Sequence, residues 1–303
     1  MNSRNILHPQ KDFGGDFLNP ETRAKERKVL WVLIIINLIG MLAEILGGIF
    51  TNSLALLSDA AHMFTHLFSL VIAYLAIRLG MRSNDSTMTY GYFRMEILAA
   101  FFNGLTILVM VFLIVVEAIH KFISPTPILV REMIFVAIFG LVINLIGAWL
   151  LVGVAKKDIN LRAVLFHLLS DTFSSIAILG GGILINYTDW FFIDGIASLI
   201  IATVVGFWGV NLIRSSSKIL LQAVPEGINP EEVVKTILEL PEVQEVHDVH
   251  IWELTSKKYV MTGHILTRDV KLSNTEPLLD RINHLVKDRF DIGHTTFQFE
   301  VLK

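Results

Sequence analysis

"LALLSDAAHMFTHLFSLVIAYLAI", residues 54–77, has the length and apolar character of a membrane-crossing helix, yet it carries Asp59, His62 and His66. A charged side chain at mid-bilayer costs roughly 2.5–3.5 kcal/mol on insertion scales, so such residues face protein or water and generally serve a function. Their spacing of i, i+3, i+7 puts all three on one helical face. That face has a polar counterpart elsewhere in the chain.

The counterpart is "LRAVLFHLLSDTFSSIAILGGGILI", where His167 and Asp171 again stand four apart on one face. Two apolar segments therefore each present an i, i+4 pair, His62/His66 and His167/Asp171. Four such side chains from two crossing helices can close a tetrahedron around Zn²⁺, whose ligands include His nitrogen and Asp oxygen. Coordination also removes the energetic objection, because a carboxylate bound to a cation is not an unpaired buried charge. Hydrogen-bonded helix contacts are the competing explanation for any one of these residues. Two matched pairs are harder to explain that way.

Around these segments the whole chain reads as a membrane protein. Of its 303 residues 53% are hydrophobic and 17% charged, against about 25% charged in soluble domains. Apolar runs predict six spans, at 29–50, 54–79, 95–121, 131–155, 161–186 and 190–214, each longer than the ~20 residues that cross a hydrocarbon core. The first 28 residues are polar, so no secretory leader is expected. Cysteine is absent, which excludes disulfides and thiolate metal sites. No nucleic-acid partner is expected.

Six spans place both termini on one side. That side carries Arg23, Lys25, Arg27, Lys28, Arg78, Arg82, Arg94, Lys156, Lys157, Arg162, Arg214 and Lys218 near the spans, and the other side Lys121 and Arg131. The positive-inside rule then makes the termini cytoplasmic. The motif "NLIG" recurs at Asn37–Gly40 and Asn144–Gly147, a weak sign of the inverted three-span repeats common in transporters.

The chain changes character near residue 220. From 221 to 303 there are 14 Asp and Glu against 9 Lys and Arg. Asn229-Pro230 signals a helix start. "VHDVHIWEL" and "KKYVMTGHILT" predict two strands about a "TSKK" turn, a helix is predicted near 275–289, and "HTTFQFEVL" predicts a closing strand. In that strand Phe297, Phe299 and Val301 alternate with Thr296, Gln298 and Glu300, giving one core face and one polar face. The order α-β-β-α-β fits a small α+β domain of ferredoxin-like type. The expected division is a tail over 1–28, a six-helix membrane domain over 29–214, and a linker with a cytoplasmic domain over 215–303.

"SLALLSDAAHM", "YGYFRMEILAAFFNG", "HLLSDTFSSIAIL", "VHDVHIW" and "HTTFQFE", in that order, resemble the cation diffusion facilitator family over about residues 29–302. The likeness is to its bacterial zinc/cobalt/cadmium efflux branch, which shares its pattern with animal zinc transporters. The resemblance implies a homodimeric divalent-metal/proton antiporter, an integral protein of the bacterial inner membrane working by alternating access. It implies a transport site on His62, residue 66, His167 and Asp171, and a regulatory metal site on His247, His264 and Glu300. His250 and His294 are further candidates there, with Asp248 in support. Asp59 is expected to stand behind the ligands rather than among them.

One departure bears on the metal. The family normally has Asp where this chain has His66, so the set becomes His-His-His-Asp and favours Zn²⁺, Co²⁺, Ni²⁺ or Cu²⁺ over Mn²⁺ and Mg²⁺. Zn²⁺ is the expected cargo and regulator, with Co²⁺, Cd²⁺ and Ni²⁺ as alternatives. A divalent ion with one Asp leaves a net charge of about +1, which Asp59 could offset. The loop "RLGMRSNDSTMTYGYFR" has Asp85 but no His, so the extra loop site of some relatives is not expected. Glu44 and Asp194 either line an aqueous path or hold helices together. Arg94 and Glu96 read as helix-end anchors.

Two other functions compete. "HMFTH" has the H-x-x-x-H spacing of membrane di-iron enzymes, but it is a single box inside a span, and no H-E-x-x-H protease motif occurs. A membrane metal sensor without transport is the other. Six spans with a polar centre favour transport over both, so the chain is not expected to be an enzyme.

Overall fold

The computed structural model describes residues 20–80, 88–152, 159–268 and 272–301. Six long helices come first: α1 (Pro20–Thr51), α2 (Leu54–Gly80), α3 (Arg94–Ile123), α4 (Val130–Val152), α5 (Ile159–Thr188) and α6 (Phe192–Leu220). Among the described residues, Trp31–Thr51, α3, α4 and α6 are long and apolar enough to cross a membrane. Their outer faces are apolar, with Phe112, Phe135, Trp149 and Phe207 largely exposed. A surface so hydrophobic belongs in lipid, and the protein is an integral membrane protein.

Helices α1 and α6 run past the predicted spans. Charged "PETRAKERK" and "RSSSK" are good or neutral helix formers, so hydropathy ends there while the helix continues. Pro20 stands at the first helical position, where its missing N–H costs nothing.

The chain divides into two compact units, one of Leu18–Arg78 with Ala99–Ile213, the other containing Leu79–Leu98 and Arg214–Lys303. In the first, α1 meets α2 through a one-step reversal. Asn52 takes a left-handed conformation (φ 58°) and the Ser53 amide bonds back to the Gly48 carbonyl at 3.0 Å, a Schellman ending that Asn tolerates. Ser53 then caps α2 by accepting from the Leu56 amide at 3.3 Å. Helices α1 and α4 approach closely: a Cβ added at Gly47 would lie 2.7 Å from Val136, and one at Gly140 2.5 Å from Glu44 Oε1.

The second unit holds α7 (Pro230–Ile237), β1 (Val243–Thr255), β2 (Lys258–Thr267), α8 (Leu272–Phe290) and β3 (Ile292–Val301). Asn229 caps α7 by accepting from the Glu231 amide at 3.0 Å. The sheet order is β1-β2-β3, with β1/β2 antiparallel and β2/β3 parallel. Its core joins Val233 and Ile237 of α7, Ile251, Met261 and Ile265 of the sheet, and Ile282 and Val286 of α8. Phe297 and Phe299 pack against that core, but Val301 is 48% exposed. Val301 is the last residue of β3, paired with Thr267 at the sheet's end, so alternation alone does not bury it. Helix α8 starts at Leu272, earlier than predicted, and tolerates Pro277 because a proline early in a helix removes few backbone bonds.

Candidate metal sites

Helices α2 and α5 supply the membrane site. The sequence periodicity sets Asp59 and His62 on one face of α2, and the structure brings that face to α5. His62 Nε2 lies 3.2 Å from Asp171 Oδ1, with both residues buried. Asp59, also buried, accepts a 2.6 Å hydrogen bond from Ser174 Oγ on α5. The His62 ring packs at 5.1 Å, centroid to centroid, against Trp208 of α6. One turn on, Thr65 Oγ1 donates to the His62 carbonyl at 2.7 Å, and Asn103 of α3 donates to the Thr65 carbonyl at 3.0 Å. His66 and His167 stand on α2 and α5, but their side chains lie outside the described residues. Asp85, with the rest of residues 81–87, lies outside them too.

Trp208 and Ser174 were not singled out from sequence. A lone Trp or Ser in an apolar helix carries no spacing signal, and only the helix arrangement shows that Trp208 packs against His62 and that Ser174 bonds Asp59.

At the start of α2 a separate polar cluster forms. The Asp194 carboxylate of α6 accepts from Ser53 Oγ at 2.7 Å, the Leu54 amide at 2.7 Å and the Ala55 amide at 3.2 Å. Lys121 Nζ of α3 lies 3.3 Å from Asp194 Oδ2 and also donates to the Asn52 carbonyl. Of the two readings open for Asp194, helix joining is the one this geometry supports. Lys121 is buried rather than a solvent-facing flank.

The second unit carries the other cluster. His247 and His264 are direct partners across β1 and β2, and Glu300 reaches them from β3. His264 Nδ1 lies 2.8 Å from Glu300 Oε1 and His247 Nε2 3.4 Å from Glu300 Oε2. One ligand atom from each falls within 4.8 Å of the others, close enough to share one ion. A register shift between His247 and His250 puts Asp248 in a left-handed conformation (φ 51°). This bulge turns the Asp248 carboxylate toward the histidines, 3.7 Å from His264 Nε2 and 3.2 Å from His250 Nε2. His294 is not brought to this cluster. It pairs with Val260 near the start of β3 and makes an edge contact with Tyr90, at 6.2 Å between ring centroids.

Within the same unit the first turn of α3 and the residue before it are tied to the sheet. Thr255 Oγ1 donates to Glu96 Oε2 at 2.7 Å, and Lys258 Nζ sits 4.5 Å over the Phe93 ring. Burial pushes the Lys258 ammonium below its usual value, with Glu96 opposing the shift. Glu96 is thus an anchor, as its position at the helix start suggests.

Residues 30–221 match the family model for the cation efflux transmembrane domain, and residues 225–301 that for the cation efflux protein, cytoplasmic domain. The chain is 38% identical over 265 residues to the metal cation efflux system protein CzcD of Cupriavidus metallidurans, covering 86% of this chain and 82% of that one. It is 36% identical over 277 residues to the cadmium, cobalt and zinc/H(+)-K(+) antiporter of Bacillus subtilis, covering 90% and 89%. It is 36% identical over 262 residues to the zinc transporter ZitB of Escherichia coli, covering 86% and 83%. Among solved structures, the metal-bound C-terminal domain of the Cupriavidus metallidurans CzcD transporter is 39% identical, covers 24% of this chain and all of that one, and has a TM-score of 0.23.

Proposed function

Because the chain belongs to the cation efflux family, we infer that it exports divalent transition-metal ions across a membrane in exchange for protons, with Zn²⁺ the leading cargo and Co²⁺, Cd²⁺ and Ni²⁺ its alternatives. It is a carrier and not an enzyme: its relatives are named for efflux, antiport and zinc transport. The observation that carries the reading is the buried His62–Asp171 contact, which joins the polar faces of α2 and α5 inside an apolar bundle.

In this reading α1 to α6 all span a bacterial inner membrane with both termini cytoplasmic. The chain divides into a tail (1–28), a transport domain (29–214) and a linker with a ferredoxin-like, dimer-forming cytoplasmic domain (215–303). His62, His66, His167 and Asp171 hold the cargo ion, with Asp59 behind them. Facing the cytoplasm, the deprotonated set captures the ion. After the helices rearrange, protons on the other side displace it, since imidazole and carboxylate bind metal only when deprotonated.

His247, His264 and Glu300, with Asp248 and His250 beside them, hold a regulatory ion. The Thr255–Glu96 and Lys258–Phe93 contacts tie the first turn of α3 and the residue before it to the strands that carry this cluster, so an ion bound there can bias the start of α3. Glu300→Ala removes the group that touches both histidines. We expect it to weaken metal binding at the cytoplasmic site at least ~10-fold, as loss of a supporting partner alone does. Isothermal titration of the full chain carrying Asp171→Ala, with and without Glu300→Ala, reads this directly. Equal affinities would remove Glu300 from the site.

Transport is tested in proteoliposomes with Zn²⁺, Co²⁺, Ni²⁺, Cd²⁺, Mn²⁺ and Fe²⁺, with and without an imposed pH gradient. Gradient-driven flux of Zn²⁺ and its softer neighbours, with none of Mn²⁺, is the expected result. Stoichiometric binding without flux of any metal would make the protein a sensor instead.

A further inference from the structure

Among the described residues, Glu44 is a buried acid of the membrane unit that neither the four-ligand set, nor Asp59 behind it, nor the Asp194 cluster uses. Glu44 lies on α1, is 1% exposed, and its Oε2 has no hydrogen-bond partner. Among the described residues, Asp59 on α2 and Asp171 on α5, both acidic, lie near enough to act on it electrostatically. Asp59 is 0% exposed and its Oδ2 is likewise unpartnered. On α4, Asn144 is fully buried with its Oδ1 unpartnered, and it stands one turn from Gly140, which abuts the Glu44 carboxylate. Lys121 cannot balance these acids, because it is engaged with Asp194 and the Asn52 carbonyl.

Burying a carboxylate among other carboxylates is unfavourable unless something positive joins them. A helix-joining role would look different. Asp194 shows what that is, with its oxygens on a hydroxyl, two amides and an ammonium. Glu44 Oε2 has nothing comparable, yet the chain keeps a long acidic side chain there. The backbone makes room for it: a Cβ on Gly140 would come within 2.5 Å of Glu44 Oε1. A glycine at the closest approach of α4 to this carboxylate is what admits the group to the bundle interior.

We propose that Glu44 is a further cargo-binding group of the transport site, contributed by α1, and that its carboxylate offsets the positive charge that a divalent ion brings to three imidazoles and one aspartate. This rests on the site reading above. That set leaves a net charge of about +1 in a water-poor interior, and Glu44 joins Asp59 as a second carboxylate placed to offset it. Glu44 thereby tunes which divalent ions are held, since carboxylate oxygen and imidazole nitrogen rank the metals differently. It also makes α1, with α4 packed on it, responsive to whether cargo is bound.

The test is metal titration of the full-length protein in nanodiscs, with His264→Ala and Glu300→Ala present so that the membrane site is read alone. Glu44→Gln keeps the shape and removes the charge. It is expected to weaken Zn²⁺ binding by about 10–100-fold, the range for groups that support a metal from beside its ligands, and to change the order of Zn²⁺, Co²⁺ and Cd²⁺. Glu44→Asp, which restores the charge, should return affinity to within a few-fold. Gly140→Ala leaves every charge in place but displaces the carboxylate, and should weaken binding in the same direction. A purely structural Glu44 would lower the folded fraction and leave the affinity and metal order of the folded protein unchanged; that result overturns the proposal. If Glu44→Gln does not fold, Gly140→Ala decides, and parental affinity and metal order there overturn it equally. Asp171→Ala in the same background separates the two levels. Retained membrane binding there refutes the site itself, whereas its loss beside a parental Glu44→Gln refutes only the role of Glu44.

Discussion

Metal flux through an Asp171→Ala variant is expected to fall to that of protein-free vesicles, while the protein still folds and inserts. Asp171 is the one carboxylate of the four-residue set, and its Oδ1 lies 3.2 Å from His62 Nε2. Without it the ion meets only neutral imidazoles at the positions of that set, and more of its positive charge is left unbalanced in the bundle interior. Loss of a group merely supporting a metal ligand costs ~10–100-fold in affinity, so loss of this ligand should cost more. Folding survives for the same electrostatic reason. A buried carboxylate is a burden to the metal-free protein, and alanine is the best helix former. His62→Ala should behave alike, although it also vacates the contact with Trp208. Flux from proteoliposomes and the monodisperse fraction on size exclusion are the two readouts. Normal flux in both variants would refute the assignment.

The meeting of Asp59 and His62 on α2 with Asp171 and Ser174 on α5 follows a face that was legible because helical periodicity is local. Polar residues three or four apart along one chain segment predict a face, and polar faces inside apolar helices must meet something polar. The cytoplasmic domain was legible in its element order for a similar reason, since turn signals and alternation are short-range. What escaped the sequence was long-range or irregular. The bulge that swings Asp248 toward His264 needs one residue in a left-handed conformation, which Asp tolerates without announcing. His294 belongs to the same strand as Glu300 but is six residues away, about 20 Å along an extended chain, so the histidine content of the domain overstated its cluster. Helix ends failed where charged residues continued a helix past its apolar stretch. Asp194 bonds groups about 140 positions away, and no sequence pattern links a residue in the sixth helix to the N-terminus of the second.

That last cluster carries the second large effect. Asp194→Ala is expected to lower the stability of the bundle by about 3–5 kcal/mol, the range for removing one partner of a buried ion pair. The variant strips the Ser53 hydroxyl and the Leu54 and Ala55 amides of their acceptor and leaves the Lys121 ammonium buried opposite an apolar methyl. Losing the helix cap alone would account for about 0.5–2 kcal/mol, so a larger loss identifies the stranded ammonium as the main cost. Asp194→Asn should fall between, because its amide oxygen still accepts at the helix start but carries no charge for Lys121. Combining Asp194→Asn with Lys121→Met removes the stranded charge and should recover much of the deficit. Thermal unfolding in detergent orders the four proteins. A double variant no better than Asp194→Asn would mean that Lys121 is not the source of the penalty, and an Asp194→Ala variant within 1 kcal/mol of the parent would mean that solvent reaches a pair the structure buries.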